Sequence, residues 1–165
     1  MSLAQAMLFE FEHEAKTTRK FLERVPADRL TWKPHEKSHT AGALALHIAN
    51  VPAGVIRSAQ SDQSPLPDFK SLFHQPESAP EILAALDRSI EVVRQELPKF
   101  DDARLQQTWS GTVNGKVVVS MPRVGFLRFI MLNHWIQHRG QLGVYLRLLG
   151  AKVPSSYGPS GDEGG

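Results

Sequence analysis

Cysteine is absent from the 165 residues. Disulfides, thiolate metal sites, zinc fingers and a cysteine nucleophile are excluded together. A surplus of charge is also lacking: 19 Lys and Arg face 17 Asp and Glu, a net +2. The pI near 9.0 rests on that small excess. No Lys/Arg run is present to track phosphates, so no nucleic-acid partner is expected. Long apolar runs are missing as well, so no transmembrane helix and no membrane partner are expected. Residues 1–20 mix Glu10, Glu12, Glu14, Lys16, Arg19 and Lys20 with apolar positions, unlike the apolar centre of a signal peptide. A cytoplasmic location follows as an expectation. With 41% hydrophobic and 22% charged residues, the composition is that of one globular domain. A chain of this length buries roughly 70% of its unfolded surface.

Periodicity predicts four long helices and an all-α fold. Over residues 4–25, Leu8, Phe11, Ala15, Thr18, Leu22 and Val25 recur at steps of three and four, and Pro26 ends the pattern. Residues 26–39 read as an ordered loop that Trp32 packs onto the bundle. A second helix opens at Thr40, a good N-cap, with Leu44, His47, Ile48, Val51 and Val55 inward. Pro52 cannot donate to the Ile48 carbonyl, so a kink or one broken bond is expected there. Residues 61–76 are polar and Pro-rich and form a long crossover, which lets helices two and three run parallel. Ser78 with Glu81 reads as a capping box for the third helix, whose stripe is Leu83, Leu86, Ile90, Val93 and Leu97. Asn114-Gly115 followed by three valines suggests a short β-hairpin. The fourth helix covers residues 122–149, with Leu127, Met131, His134, His138, Gln141, Tyr145 and Leu148 on one inward face and Gly150 as C-cap. A single domain over residues 1–160 is expected, with residues 161–165 a frayed tail. Tyr157 is placed to dock.

The chemistry points to histidine. Of the seven, His134 and His138 are four apart and share a helix face, and His47 lies on the inward side of helix two. Burying an unpaired imidazole costs about 1–3 kcal/mol, and a metal ion repays it. Three imidazoles plus water leave open positions, as in catalytic rather than structural sites. His47 joins the pair only if helix two faces helix four; otherwise it is a core histidine. His13, His35, His39 and His74 read as surface groups, with His39 close to the start of the second helix.

Other chemistries find little support. Asp101-Asp102 reads as a solvated turn, and Glu10, Glu12 and Glu14 as mostly outer positions. No inward Glu-x-x-His of a di-iron bundle, no phosphate loop and no nucleophile elbow is present. Gln141, one turn past His138, is placed to orient a ligand or line a pocket. Arg139 is placed to brace a helix or a dimer face.

The run His134-Trp135-Ile136-Gln137-His138-Arg139-Gly140-Gln141, with Tyr145-Leu146-Arg147, Gly150, Val153-Pro154 and Tyr157-Gly158-Pro159-Ser160, resembles the DinB-like (YfiT-related) superfamily of metalloproteins. Trp32-Lys33-Pro34 and Leu44-Ala45-Leu46-His47-Ile48-Ala49 extend the resemblance over nearly the whole chain. The resemblance implies a four-helix bundle in up-down-down-up order. It also implies a divalent metal on His47, His134 and His138, completed by water: nickel or zinc, with iron or manganese as alternatives. Relatives of this kind include thiol-handling transferases that use bacillithiol and a mycothiol-dependent maleylpyruvate isomerase. A small-molecule substrate, a low-molecular-weight thiol and a homodimer are therefore expected. A metal-dependent S-transferase or hydrolase is the first reading, with catalytic residues beyond the ligands unassigned. A non-catalytic stress-related carrier or sensor, or a structural dimeric bundle, is the alternative. Pro52 and the 113–119 insert depart from the pattern around the site.

Overall fold

The computed structural model describes residues 1–163. Helix α1 spans Leu3–Leu22 and is opened by a reciprocal box between Ser2 and Gln5. Helix α2, Ala41–Ser58, starts at Thr40, whose hydroxyl accepts from the Ala43 N–H at 3.1 Å. Helix α3 is Ala79–Glu96. A short α4, Asp102–Gln106, precedes the strands. The last rod is continuous: α5 Arg123–Phe126, a π-helical stretch Leu127–His134, and α6 Trp135–Leu148.

Side-chain pairs show how the rods run. Glu12 meets Arg94 and Arg19 meets Asp87, so α1 and α3 are antiparallel. Ala53 pairs with Ser89 and Gln60 with Glu96, so α2 and α3 are parallel. Glu10 meets Arg128 and Glu14 meets Arg139, so α1 and the last rod are parallel. The bundle is therefore up-down-down-up, and the crossover from Ala59 to Ser78 makes the parallel step possible. Helix α2 is the central member, buried on almost every side.

The hairpin forms as expected. Strands β2 (Thr108–Val113) and β3 (Lys116–Pro122) are antiparallel, joined by Asn114 at φ 50° and Gly115 at φ 75°. Two successive positive φ values are those of a hairpin turn with the strand twist. The crossover adds a strand that the polar, Pro-rich run concealed. Strand β1, Gln63–Pro65, pairs with β2 in parallel. Trp109 holds this small sheet to the bundle. Its ring stacks on Phe126 at 3.6 Å, and its indole N–H donates to the Ser58 carbonyl at 3.2 Å.

Several sequence expectations are corrected. Ser78 makes no side-chain cap; instead Glu81 accepts from the N–H of Glu77 at 2.7 Å. Of the two outcomes expected at Pro52, the second holds: α2 continues through it from Ala41 to Ser58 with one backbone bond missing. The Ile48 carbonyl that Pro52 leaves free accepts the indole N–H of Trp135 at 2.7 Å. Glu14 is not an outer residue but is buried against Arg139. Leu148 is exposed, not inward. In the C-terminal segment, Asp162 accepts from the Val153 N–H at 2.8 Å and pairs with Arg147 at 2.7 Å. The remainder of the expected tail, residues 164 and 165, lies outside the described residues.

Candidate metal centre

The π-helical stretch decides where the histidines point. An unbroken α-helix would alternate core steps of three and four. One buried stripe of the last rod runs Leu127, Met131, Trp135, Arg139, Leu142 and Leu146, beginning with three successive steps of four, and Phe126 and Leu132 are buried beside it. Wider i to i+5 turns absorb the extra residue. The core stripe thus passes from Met131 to Trp135, not to His134 as expected. His134 and His138 sit one position round from it, half-buried and facing α2. Gln141 shares their side and is exposed.

Helix α2 supplies the third ring. His47 is 5% exposed, and its Nε2 lies 3.4 Å from the Nε2 of His134. One nitrogen from each of His47, His134 and His138 lies within 4.8 Å of the other two. The ring of His138 stands at 90° to both its neighbours, with centroids 4.9 Å from His47 and 4.3 Å from His134.

The outward nitrogens are occupied. His47 donates Nδ1–H to the Leu72 carbonyl at 3.2 Å, and His138 donates Nδ1–H to Gln141 Oε1 at 2.7 Å. A neutral imidazole with a proton on Nδ1 carries its lone pair on Nε2. Lone pairs directed at one another repel unless a cation or a proton lies between them. This donor set, with oxygen acceptors behind two of the rings, fits a borderline divalent metal and its outer shell.

Electrostatics favours the neutral rings that a metal needs. Burial, then the charge that His138 and His134 would carry, lowers the His47 pKa to about 4. Burial is also the leading cause of the downward shift at His134, with His138 adding to it. At His138 burial outweighs the opposing hydrogen bond from Gln141. Protons therefore compete weakly with a cation in neutral solution.

The surroundings come from three distant parts of the chain. Phe73, in the crossover, stacks on His47 with centroids 4.2 Å apart. His39 stacks on the other face of Phe73 at 3.5 Å, so this exposed residue borders the site without joining the three-nitrogen cluster. Arg139 lies beneath the ligand face. It is 2% exposed, pairs with buried Glu14 at 2.5 Å, and ties the helix that carries His138 to α1. The ring of Tyr157 lies 5.4 Å from the Arg139 guanidinium carbon.

His13, His35 and His74 are exposed and belong to no metal-holding cluster among the described residues. Asp101 and Asp102 are exposed and serve as caps: Asp101 accepts from the Arg104 N–H, and Asp102 from the Leu3 N–H. Phe73 and the Leu72 carbonyl escaped the sequence reading. The signal was slight, an apolar Leu-Phe pair in a polar crossover. No helix among the described residues is long and apolar enough to cross a membrane.

Comparison with known proteins agrees with this architecture. The uncharacterized protein YrdA of Bacillus subtilis is 29% identical over 159 residues, which span 94% of this chain and 89% of that protein. A crystal structure of a DinB-like protein from Bacillus cereus superposes with a TM-score of 0.73 at 23% identity, covering 93% of this chain and 97% of its own. A second, the DinB-like protein YjoA from B. subtilis, gives 0.71 at 20% identity, covering 92% and 96%. At these identities the two structures speak to the fold alone. The DinB family model matches residues 1–164, and the chain belongs to the DinB family.

Proposed function

We propose that this protein is a metal-dependent enzyme whose divalent cation is held by His47, His134 and His138 and whose nucleophile is a thiol cosubstrate or water. The observation that carries the proposal is the convergence of three imidazole nitrogens within 4.8 Å, two of them backed by oxygen acceptors. Bound there, the cation would lower the pKa of a thiol or water and supply a nucleophile near neutral pH. With only three protein donors, a coordination position is left for that group. The chain has no cysteine, so a thiol would come from a small cosubstrate.

The residues around the site have separate tasks in this reading. Leu72 and Gln141 hold the rings of His47 and His138 in the tautomer with Nε2 free. The Glu14–Arg139 pair fixes the height of His138 relative to α1. Phe73 keeps water off the face of His47. Nickel or zinc suits three imidazoles best, with iron or manganese as alternatives. A homodimer in the cytoplasm handling a small electrophile completes the proposal. A non-catalytic metal carrier would use the same ligands, but the position that three protein donors leave open favours chemistry.

Elemental analysis of tag-free protein purified without nickel resin tests the reading. About one metal per chain is expected, with loss in the His47→Ala, His134→Ala and His138→Ala variants. Conjugation assays with small thiols and electrophiles would follow on the loaded protein. A folded protein that takes up no metal on titration would refute the proposal. One tight metal per chain retained in His134→Ala would refute the ligand assignment.

A further inference from the structure

We propose that Phe73 sets the size of the outside ligand that the metal centre admits, passing slim donors and turning away ring-sized ones. The inference rests on the metal-binding reading above and concerns access to the position that the three histidines leave open.

Phe73 is the aromatic residue that stands against two of the three candidate ligands. Its ring is 4.2 Å from that of His47 at an interplanar angle of 26°, and 6.1 Å from that of His138 at 76°. It thus covers the face of one ligand and turns toward the edge of another, on the side where α2 and α6 meet. His47 is 5% exposed, and Phe73 is one of the groups packed on its ring.

The ring is fixed in place. The His39 imidazole lies on its far face at 3.5 Å and within 4° of parallel. Stacked aromatic pairs of this kind resist separation. The chain on either side is also anchored. The Leu72 carbonyl accepts from His47 Nδ1–H. Two residues beyond Phe73, the Gln75 side chain accepts from the Thr40 hydroxyl at 2.6 Å and donates to the Leu30 carbonyl at 3.2 Å. His39 is held in turn, because its carbonyl accepts from the Tyr145 hydroxyl at 3.3 Å. Phe73 is therefore a rigid wall. A rigid wall selects by shape, and a shape difference of one small group is worth about tenfold or more in binding.

Phe73 also stands between the cluster and His39, the nearest further imidazole that stacks in this aromatic group. Removal of the ring alone could let His39 take the open position. The test therefore pairs Phe73→Ala with the double variant Phe73→Ala/His39→Ala, alongside the unaltered protein and Phe73→Leu.

Each protein is loaded with cobalt(II), and its visible spectrum is followed during titration with azide, a slim anion, and with imidazole, a ring. In the double variant, imidazole is expected to bind about tenfold tighter than in the unaltered protein, with azide within about threefold. Phe73→Leu should fall between the two. Equal changes for both probes, or none, with cobalt bound at one per chain, would overturn the role of Phe73 and leave the metal reading intact. Failure of the unaltered protein to take up cobalt would remove the metal reading and this inference with it.

Discussion

Trp135 donates its indole N–H to the carbonyl of Ile48 at 2.7 Å, and both residues are fully buried. The carbonyl is available because Pro52, four residues on, has no N–H to offer it. Ile48 follows His47 and Trp135 follows His134. One hydrogen bond thus joins the immediate neighbours of two candidate ligands across two helices. Pro52, which looked like a defect in the sequence, makes the acceptor that sets their separation. Trp135 is further held by stacking on Phe11 at 5.3 Å.

Trp135→Phe keeps most of the ring and removes the donor. Unfolding by denaturant should show a loss of about 1–3 kcal/mol, the cost of a buried carbonyl without a partner. Zinc affinity should fall by about tenfold, as for other partners just outside a metal's ligands. Adding Pro52→Ala gives Ile48 a helical N–H and should recover the stability but not the zinc affinity. Wild-type zinc affinity in Trp135→Phe would show that the bond does not position the ligands.

The buried pair Glu14–Arg139 makes a different prediction. Removing one partner strands the other, and Glu14→Gln or Arg139→Met should each cost about 3–5 kcal/mol. The double variant should be less damaged than the sum of the two singles. A thermodynamic cycle from thermal or denaturant unfolding measures the difference. Strict additivity would mean that the two side chains do not interact.

The histidines give metal-free protein a pH dependence of defined sign. The folded pKa of His47 is about 4 against the ordinary 6.5, and those of His134 and His138 are also lowered. Above the ordinary value all three are neutral whether folded or not. As the pH falls below it, the unfolded chain takes up protons that the folded chain refuses. Stability is therefore lost on acidification from 6.5 toward 4, by about 3 kcal/mol for His47 alone. Melting temperatures measured from pH 7.5 to 4.5 should fall, and His47→Phe should flatten the slope. A slope unchanged in that variant would contradict the burial argument.

The hairpin turn offers a local check. Gly115 has φ +75° and open space around its missing Cβ, so Gly115→Ala meets backbone strain and no clash. A cost of about 1 kcal/mol is expected, with metal content unchanged. An unaltered stability would mean that the turn adopts another conformation.

The sequence by itself determined what depends on neighbours within a few residues. The helical stripes, the Thr40 cap, the Asn114-Gly115 turn and the shared face of His134 and His138 all follow from local geometry. Because the chain has no cysteine, imidazole was the evident donor for a borderline metal. Only the tertiary structure decided the rest. His47 meets His134 across 87 positions of chain, a contact that no local period encodes. The π-helical stretch keeps Leu127, Met131 and Trp135 in the core together and leaves His134 and His138 half-buried beside α2. In sequence Glu14 looks like Glu10 and Glu12, which are only half-buried, until Arg139 arrives from the last helix. Phe73 sits in a polar crossover whose path is set by β1 pairing with β2 and by the backbone oxygen that Leu72 offers to His47. In each case the deciding partner lies far along the chain, and its contribution exists only after the helices have packed.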